Sequence, residues 1–213
     1  YRIPVVNIIG SEGNGIYGAA FNIYNLMLVL SSYGLPMAVS KLVSARFTKK
    51  RYKSAAKVLR CSLMVAVCTG GIAALLVFFG ASFIENVIYG GGLPGLAIPL
   101  RILAPTIFLV AILGVIRGFF QGQSTMIPTA VSQILEQIVN AIVSIAAGYG
   151  MMKAFASSPD VAAYGAAGST LGTAMGALTA VLFMGFLYAV YTPTFNRLKR
   201  KDRHTENQST GQI

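Results

Sequence analysis

Long apolar runs separated by short polar segments dominate the pattern along the chain. A helix needs about 20 mostly apolar residues to cross a hydrocarbon core of about 30 Å. Five runs reach this length, and we predict that they are spanning helices: residues 16–37, 58–80, 98–120, 127–151 and 164–191. Residues 1–9 are apolar but too short to span. They predict the trailing half of a further helix, whose first part would precede this sequence.

Turn-forming residues punctuate these runs. Glycine-rich or proline-containing segments at residues 10–15, 85–95 and 157–160 predict loops, and Pro105 predicts a bend in the third span. Glycines 168, 172 and 176 form a small-residue ridge typical of closely packed membrane helices. The fold class is therefore all-α, a polytopic membrane bundle over residues 1–195, followed by a polar basic tail or linker over residues 196–213.

Composition excludes the soluble alternatives. The 213 residues are 55% hydrophobic and 11% charged, whereas soluble domains have about 25% charged residues. The net charge of +11 would fit a nucleic-acid partner, but eight of the 17 cations lie in residues 41–60 and five in residues 197–203. We expect no nucleic-acid binding. These blocks predict that the basic loops and tail lie on the cytoplasmic side of a membrane, with specific binding of phosphate as the alternative.

The histidine, cysteine and acidic residues of the chain give little support to a catalytic or metal-binding site. The chain has one histidine, His204, two cysteines and six acidic residues scattered along its length. No spacing typical of metal ligands and no nucleophile-base arrangement emerges from them. We expect a protein that is not an enzyme and has no cofactor.

Polar groups inside the apolar runs are the candidate functional residues, because a charge in mid-membrane costs about 2.5–3.5 kcal/mol even on permissive scales. Arg2 and Glu136 are predicted to lie at similar depths. Glu136 also belongs to a stripe at helical spacing, formed by Gln133, Glu136, Gln137 and Asn140. Such a stripe lines a wet cavity or bonds to a neighbouring helix, and both readings stay open.

Two further polar groups complete the candidates. Asn22 and Asn25 lie one turn apart on the first full span, with structural and functional roles equally compatible. Arg117, together with Gln121 and Gln123, predicts a polar mouth at the cytoplasmic side. Arg101, near the other end of the same span, is expected to extend to the membrane surface.

Several runs carry a resemblance to a known family: YRIPVVNIIGSEGNGIYG at the start, GLPMAVSKLVS from Gly34, RGFFQGQ from Arg117 and PTAVSQILEQIV from Pro128. Together they resemble the bacterial polysaccharide-export and lipid II flippase family. The similarity is greatest to its Gram-positive branch, which includes the stage V sporulation protein B. One departure is Ala45-Arg46, where the family pattern has an acidic residue.

The resemblance implies the N-terminal lobe of a two-lobed transporter of the multidrug and polysaccharide flippase superfamily. It implies a lipid-linked glycan as substrate, a missing C-terminal lobe as partner, and cell-wall synthesis proteins as further partners. Arg2 best matches the cavity cations that bind pyrophosphate in the family. A multidrug or cation antiporter and a non-transporting scaffold in cell-wall or spore-coat assembly are the alternatives.

Overall fold

The structure is a bundle of long helices. This computed structural model describes the backbone of residues 2–202 and the side chains of residues 7–200 and 202; Arg2, a candidate site residue, has its side chain outside the described part. No strand occurs in the described residues. The helices are α1 (Arg2–Ser31), α2 (Gly34–Thr48), α3 (Tyr52–Phe83), α4 (Ala97–Gln121), α5 (Ile127–Ala154) and α6 (Val161–Lys201).

Five helical segments of the described chain are long and apolar enough to cross a membrane, which confirms the predicted polytopic bundle. They also leave large apolar side chains on the outside. Leu30, Met37 and Phe79 are each at least 75% exposed. A water-facing surface does not tolerate a continuous apolar exterior of this kind, whereas lipid does.

The first predicted loop is shorter than expected. Residues 11–15 are helical, and the break in α1 is confined to Gly10, at φ 71° and ψ −176°. This combination is essentially restricted to glycine, because a Cβ atom would clash with the backbone there. Residues 2–9 and 11–31 are therefore two helical pieces that meet at one glycine.

The predicted break at residues 85–95 is also partly wrong. The helix continues past α3 as a π-helical turn, Ile84–Ile88. The carboxylate of Glu85 then accepts hydrogen bonds from the backbone N–H groups of Gly95 (3.0 Å) and Ala97 (2.7 Å). Glu85 thus closes the glycine-rich loop and satisfies free N–H groups at the start of α4.

The basic block at residues 41–60 is not an element of its own. It is divided between the end of α2 and the start of α3, which a turn at residues 49–51 connects. Arg46 Nε–H donates to Ser54 Oγ across this turn at 3.0 Å. From the far end of the chain, the Asp202 carboxylate accepts the backbone N–H of Lys53 at 2.9 Å. α6 continues to Lys201, within the segment predicted as the tail.

Helix α4 is the centre of the bundle. Its most apolar window is 56% buried, against 17–22% for the other spans. One half of α4 packs into a core with α1 and the end of α3, and the other half into a core with α2, the start of α3 and α6. Gly118 and Gly122 let α2 approach, since an added Cβ would lie 2.5 Å from Pro36 O and 2.7 Å from Ser40 O.

The predicted glycine ridge of α6 packs against α5. A Cβ at Gly168 would meet the carbonyl oxygen of Ala147, and one at Gly176 would lie 2.7 Å from the Glu136 carbonyl oxygen. At Gly172 it would meet Ser144, including backbone atoms that cannot rotate away. Backbone contact of this kind is the main attraction between helices in lipid, where no hydrophobic effect drives association.

We predict that Gly172→Ala destabilises the chain by about 1–3 kcal/mol, because the methyl group overpacks the α5–α6 contact. Gly185→Ala is the matched control on the same helix, since nothing lies within 4 Å of its added Cβ. Alanine favours a helix over glycine by about 1 kcal/mol, so this control should be neutral or stabilising. Unfolding of each purified variant in mixed micelles, followed by circular dichroism, measures the difference. Equal behaviour of the two variants would contradict the packing assignment.

Candidate functional site

A cavity of about 250 Å³ lies between the α1–α2 junction, α4 and α5. Its wall contains both polar and apolar groups. Its lining residues are Leu28, Ser32, Tyr33, Pro36, Val110, Gly114, Arg117, Gln121, Thr129 and Gln133. The helices that form its walls are long and apolar enough to span a membrane, so these polar groups lie inside an otherwise apolar bundle.

Arg117 provides the positive charge of this cavity. Its Nη2–H donates to Glu136 Oε2 at 2.8 Å, and its Nε–H donates to Ser132 Oγ at 2.9 Å. The two charged side chains are only 15% and 20% exposed. A buried ion pair persists when each charge is both neutralised and hydrogen-bonded. Arg117 on α4 is held in place by two residues of α5.

The Arg117 contacts continue into the first turns of α5. Ser132 Oγ–H donates to the carbonyl oxygen of Thr129 at 2.8 Å, which leaves its own lone pairs for Arg117. The hydroxyl of Thr129 is buried and has no hydrogen-bond partner among the described residues, although this side chain lines the cavity. An unpaired buried hydroxyl costs about 1–3 kcal/mol. The cavity wall therefore presents an unused polar group beside a cation.

The cavity widens towards the basic end of the bundle. A second space of about 590 Å³ shares Tyr33, Pro36 and Gln121 with the first. Lys41 and two serines, Ser40 and Ser44, line its outer part. A polar path therefore leads from the end of α2, where the cations are concentrated, inwards to Arg117.

Comparison of the sequence with known proteins shows which family the chain belongs to. A family model described as "Polysaccharide biosynthesis protein" matches residues 1–210. The chain belongs to the polysaccharide biosynthesis protein family. This finding confirms the resemblance drawn from the sequence runs, including its Gram-positive branch.

Three relatives from Bacillus subtilis (strain 168) are similar to this member of the family. The lipid II flippase MurJ is 35% identical over 73% of the chain and 30% of its own length. The stage V sporulation protein B is 30% identical over 86% of the chain and 34% of its own length. The uncharacterized membrane protein YabM is 29% identical over 99% of the chain and 37% of its own length. The chain thus spans about a third of each relative, and no solved structure matches it.

The structure divides the polar stripe of α5 in this family member. Gln133 lines the cavity, and Glu136 contacts Arg117. Gln137 is exposed outside the cavity lining, whereas Asn140 is 5% exposed and packs against α6. Asn140 Oδ1 accepts a hydrogen bond from Ser144 there, at 2.9 Å. Of the two readings left open, the cavity applies to one end of the stripe and the helix contact to the other.

The two asparagines of α1 lie away from this cavity. Asn22 and Asn25 are exposed on α1 and are absent from its lining. Arg2 cannot be compared, because its side chain lies outside the described part. Gln121 lines the cavity as the predicted polar mouth requires. Arg101, at the other end of α4, is exposed and donates to Ser82 Oγ at 3.0 Å.

Sequence reasoning missed two groups of the site, Ser132 and Thr129. Ser132 precedes Glu136 by four residues, so helical spacing places both on one face of α5. That signal was present in the sequence. Thr129 gave no comparable signal, because a threonine in the first turn of an apolar helix is ordinary.

We predict that Arg117→Met lowers the free energy of unfolding by about 2–3 kcal/mol, because it leaves the Glu136 carboxylate buried without a partner. Adding Glu136→Leu should recover most of this loss, since the double variant has no unpaired charge. Arg101→Met is the control and should change stability by less than about 0.5 kcal/mol. Unfolding in mixed micelles measures the cycle. If the stability losses of the single variants Arg117→Met and Glu136→Leu add up to the loss of the double variant, the pair contributes no coupling energy.

Proposed function

We propose that the chain is the N-terminal lobe of a flippase for a lipid-linked glycan, similar to lipid II and carried on a polyprenyl pyrophosphate. The substrate's headgroup would enter the cavity between α1, α4 and α5 and leave at the opposite membrane face by alternating access. The family assignment and the name of the relative MurJ support the substrate class. The position of Arg117 on the cavity wall supports the site.

Arg117 is the observation that carries the proposal. A guanidinium has more N–H donors than the two that Ser132 and Glu136 occupy, so the others are available to the cavity. Arginine binds phosphate oxygens through paired, charge-assisted hydrogen bonds, which are stronger than neutral ones. In this role Arg117 holds the pyrophosphate, and the nearby Thr129 hydroxyl donates to one of its oxygens.

Glu136 would let the site alternate between an empty state and a substrate-bound state. Without substrate, the carboxylate neutralises Arg117, and the pair is stable inside the bundle. An incoming pyrophosphate competes with this carboxylate for the same guanidinium. Glu136 would then turn to another cation, because two anions around one cation are unfavourable in a low dielectric. This competition links substrate release to the return of the ion pair.

The other candidates take supporting roles in this scheme. Gln133 lies on the cavity wall and would bond to the sugar or peptide part of the headgroup. Arg2 would add a second phosphate contact from α1. On the exposed faces of α1 and α5, Asn22, Asn25 and Gln137 would bind the headgroup once the second lobe encloses these faces. Asn140 would act by positioning α5 on α6. The polyprenyl chain would stay in the bilayer, because removing it costs about 0.8 kcal/mol per CH₂.

The proposal includes the orientation in a bacterial cell membrane. The end formed by the α2–α3 turn, the α4–α5 turn and the end of α6 would face the cytoplasm, since it carries the two cation blocks. The wider cavity mouth near Lys41 opens at this same end. Loading would therefore occur from the leaflet in which polyprenyl-linked precursors are assembled.

The alternative functions differ in which cavity residues each would need. A cation antiporter needs an acidic cavity, but the acid at this cavity is already paired with Arg117. The described lining of the cavity contains no nucleophile beside a general base, which favours a transporter over an enzyme. A scaffold in cell-wall or spore-coat assembly would work without a functional cavity, so cavity substitutions separate it from a flippase.

We predict that Arg117→Ala in the full-length gene abolishes growth rescue of a cell depleted of its lipid II flippase. Arg117→Lys should rescue partly, because it keeps a charge and loses the paired geometry. Glu136→Gln should reduce rescue by freeing Arg117 to hold the phosphate too tightly, and Arg2→Ala should reduce it by removing a phosphate contact. Growth and the outer-leaflet fraction of labelled precursor are the measurements.

Arg101→Ala is the matched control, since it removes an arginine from the same helix outside the cavity. Membrane abundance of each variant, measured by immunoblot, separates loss of transport from loss of protein. Full rescue by Arg117→Ala, Arg2→Ala and Glu136→Gln at normal abundance would overturn the site and favour the scaffold.

A further inference from the structure

A cavity of about 220 Å³ lies at the basic end of the bundle, apart from the candidate site. It is formed where the first two turns of α3 meet the last turn of α6. Its lining residues are Lys53, Ala56, Lys57, Arg60 and Lys199. Four of these five residues are cations, and none of them lines the cavity around Arg117.

This concentration of charge is unfavourable for the protein alone. Lys53, Lys57 and Arg60 follow helical spacing on one face of α3, and like charges at that spacing repel. They also lie at the start of the helix, where the helix dipole is positive and favours anions. Among the described residues, the Asp202 carboxylate lies beside this recess, where it accepts the backbone N–H of Lys53. The described lining of the recess contains cations and no acidic residue, so an anion would meet mainly positive charge there.

Lys199 is partly fixed in advance of binding. Its ammonium lies 5.1 Å from the centre of the Phe195 ring, and Phe195 is buried. A cation over an aromatic face is attracted to it and loses less freedom when a ligand arrives. The α6 side of the cavity thus holds a positioned charge opposite the α3 cations.

The same face of α3 becomes apolar immediately beyond the cations. Met64, Val67 and Leu75 continue the helical spacing from Arg60, and they are 67%, 45% and 57% exposed. From Arg60 to Leu75 the helix rises about 22 Å, which is most of the thickness of a hydrocarbon core. A ligand that fits the whole surface has an anionic head and long apolar tails.

We propose that this surface binds an anionic glycerophospholipid, with its headgroup phosphate in the Lys53–Arg60–Lys199 recess and its acyl chains along α3. Basic recesses between membrane helices are suited to such headgroups. The bound lipid would join the start of α3 to the end of α6, at the position where Asp202 already connects them. It would be a structural lipid and not the transported molecule.

The test titrates the purified chain in neutral detergent with phosphatidylglycerol or phosphatidylcholine and counts retained lipid by native mass spectrometry. The recess variant combines Lys53→Gln, Arg60→Gln and Lys199→Gln. The matched control, Lys49→Gln with Arg197→Gln and Arg200→Gln, removes equal charge from the same end outside the recess. We expect one phosphatidylglycerol retained by the native chain and the control, and about tenfold weaker retention by the recess variant.

Equal weakening in the two charge variants overturns the proposal, because it would show general surface attraction. Ala56→Leu keeps every charge and fills the recess, so it should also weaken retention. If the recess variant loses helicity, the test rests on Ala56→Leu alone. Undiminished lipid retention by Ala56→Leu then refutes the site. The last measurement adds inorganic phosphate as a competitor of the bound lipid. Failure to displace the lipid supports a lipid site, whereas displacement at equal concentration indicates a free-phosphate site and overturns it.

Discussion

The ion pair between Arg117 and Glu136 is the interaction on which the cavity depends. Neither charge is stable alone within an apolar bundle, because its desolvation costs several kcal/mol. Their contact at 2.8 Å neutralises both and holds α4 to α5 at one level. Ser132 fixes the angle of the guanidinium through its Nε–H. A guanidinium is thereby kept inside the helical bundle.

Close packing elsewhere leaves room for this cavity. α5 is packed tightly on α6 through Gly168, Gly172 and Gly176, and α2 is packed on α4 through Gly118 and Gly122. Between these two glycine contacts, Arg117 of α4 bonds to Ser132 and Glu136 of α5. The cavity lies beside this polar contact.

The positive charges serve separate purposes according to depth. The cations at the ends of α2, α3 and α6 gather at one face of the bundle, where they can meet anionic headgroups. Arg117 lies inside and is matched to a carboxylate. A net charge of +11 would by itself suggest one anionic partner for the whole surface. Depth in the bundle separates the cations of these helix ends from Arg117, which is partly buried beside Glu136.

The sequence by itself determined the number of spanning helices, because a span needs only length and apolarity, and both can be counted. The predicted residues 98–120 and 127–151 lie within three residues of α4 and α5 at either end, whereas the predicted residues 164–191 end ten residues before α6 does. It also indicated that Glu136 needs a partner, and that the α6 glycines lie in a contact. Only the tertiary structure decided that Arg117 contacts Glu136, that Asn140 faces α6, and that Gly10 alone breaks α1. The first two depend on how one helix is rotated against another, which spacing along a single helix does not specify. The third depends on the backbone angles of a single residue in a glycine-rich segment.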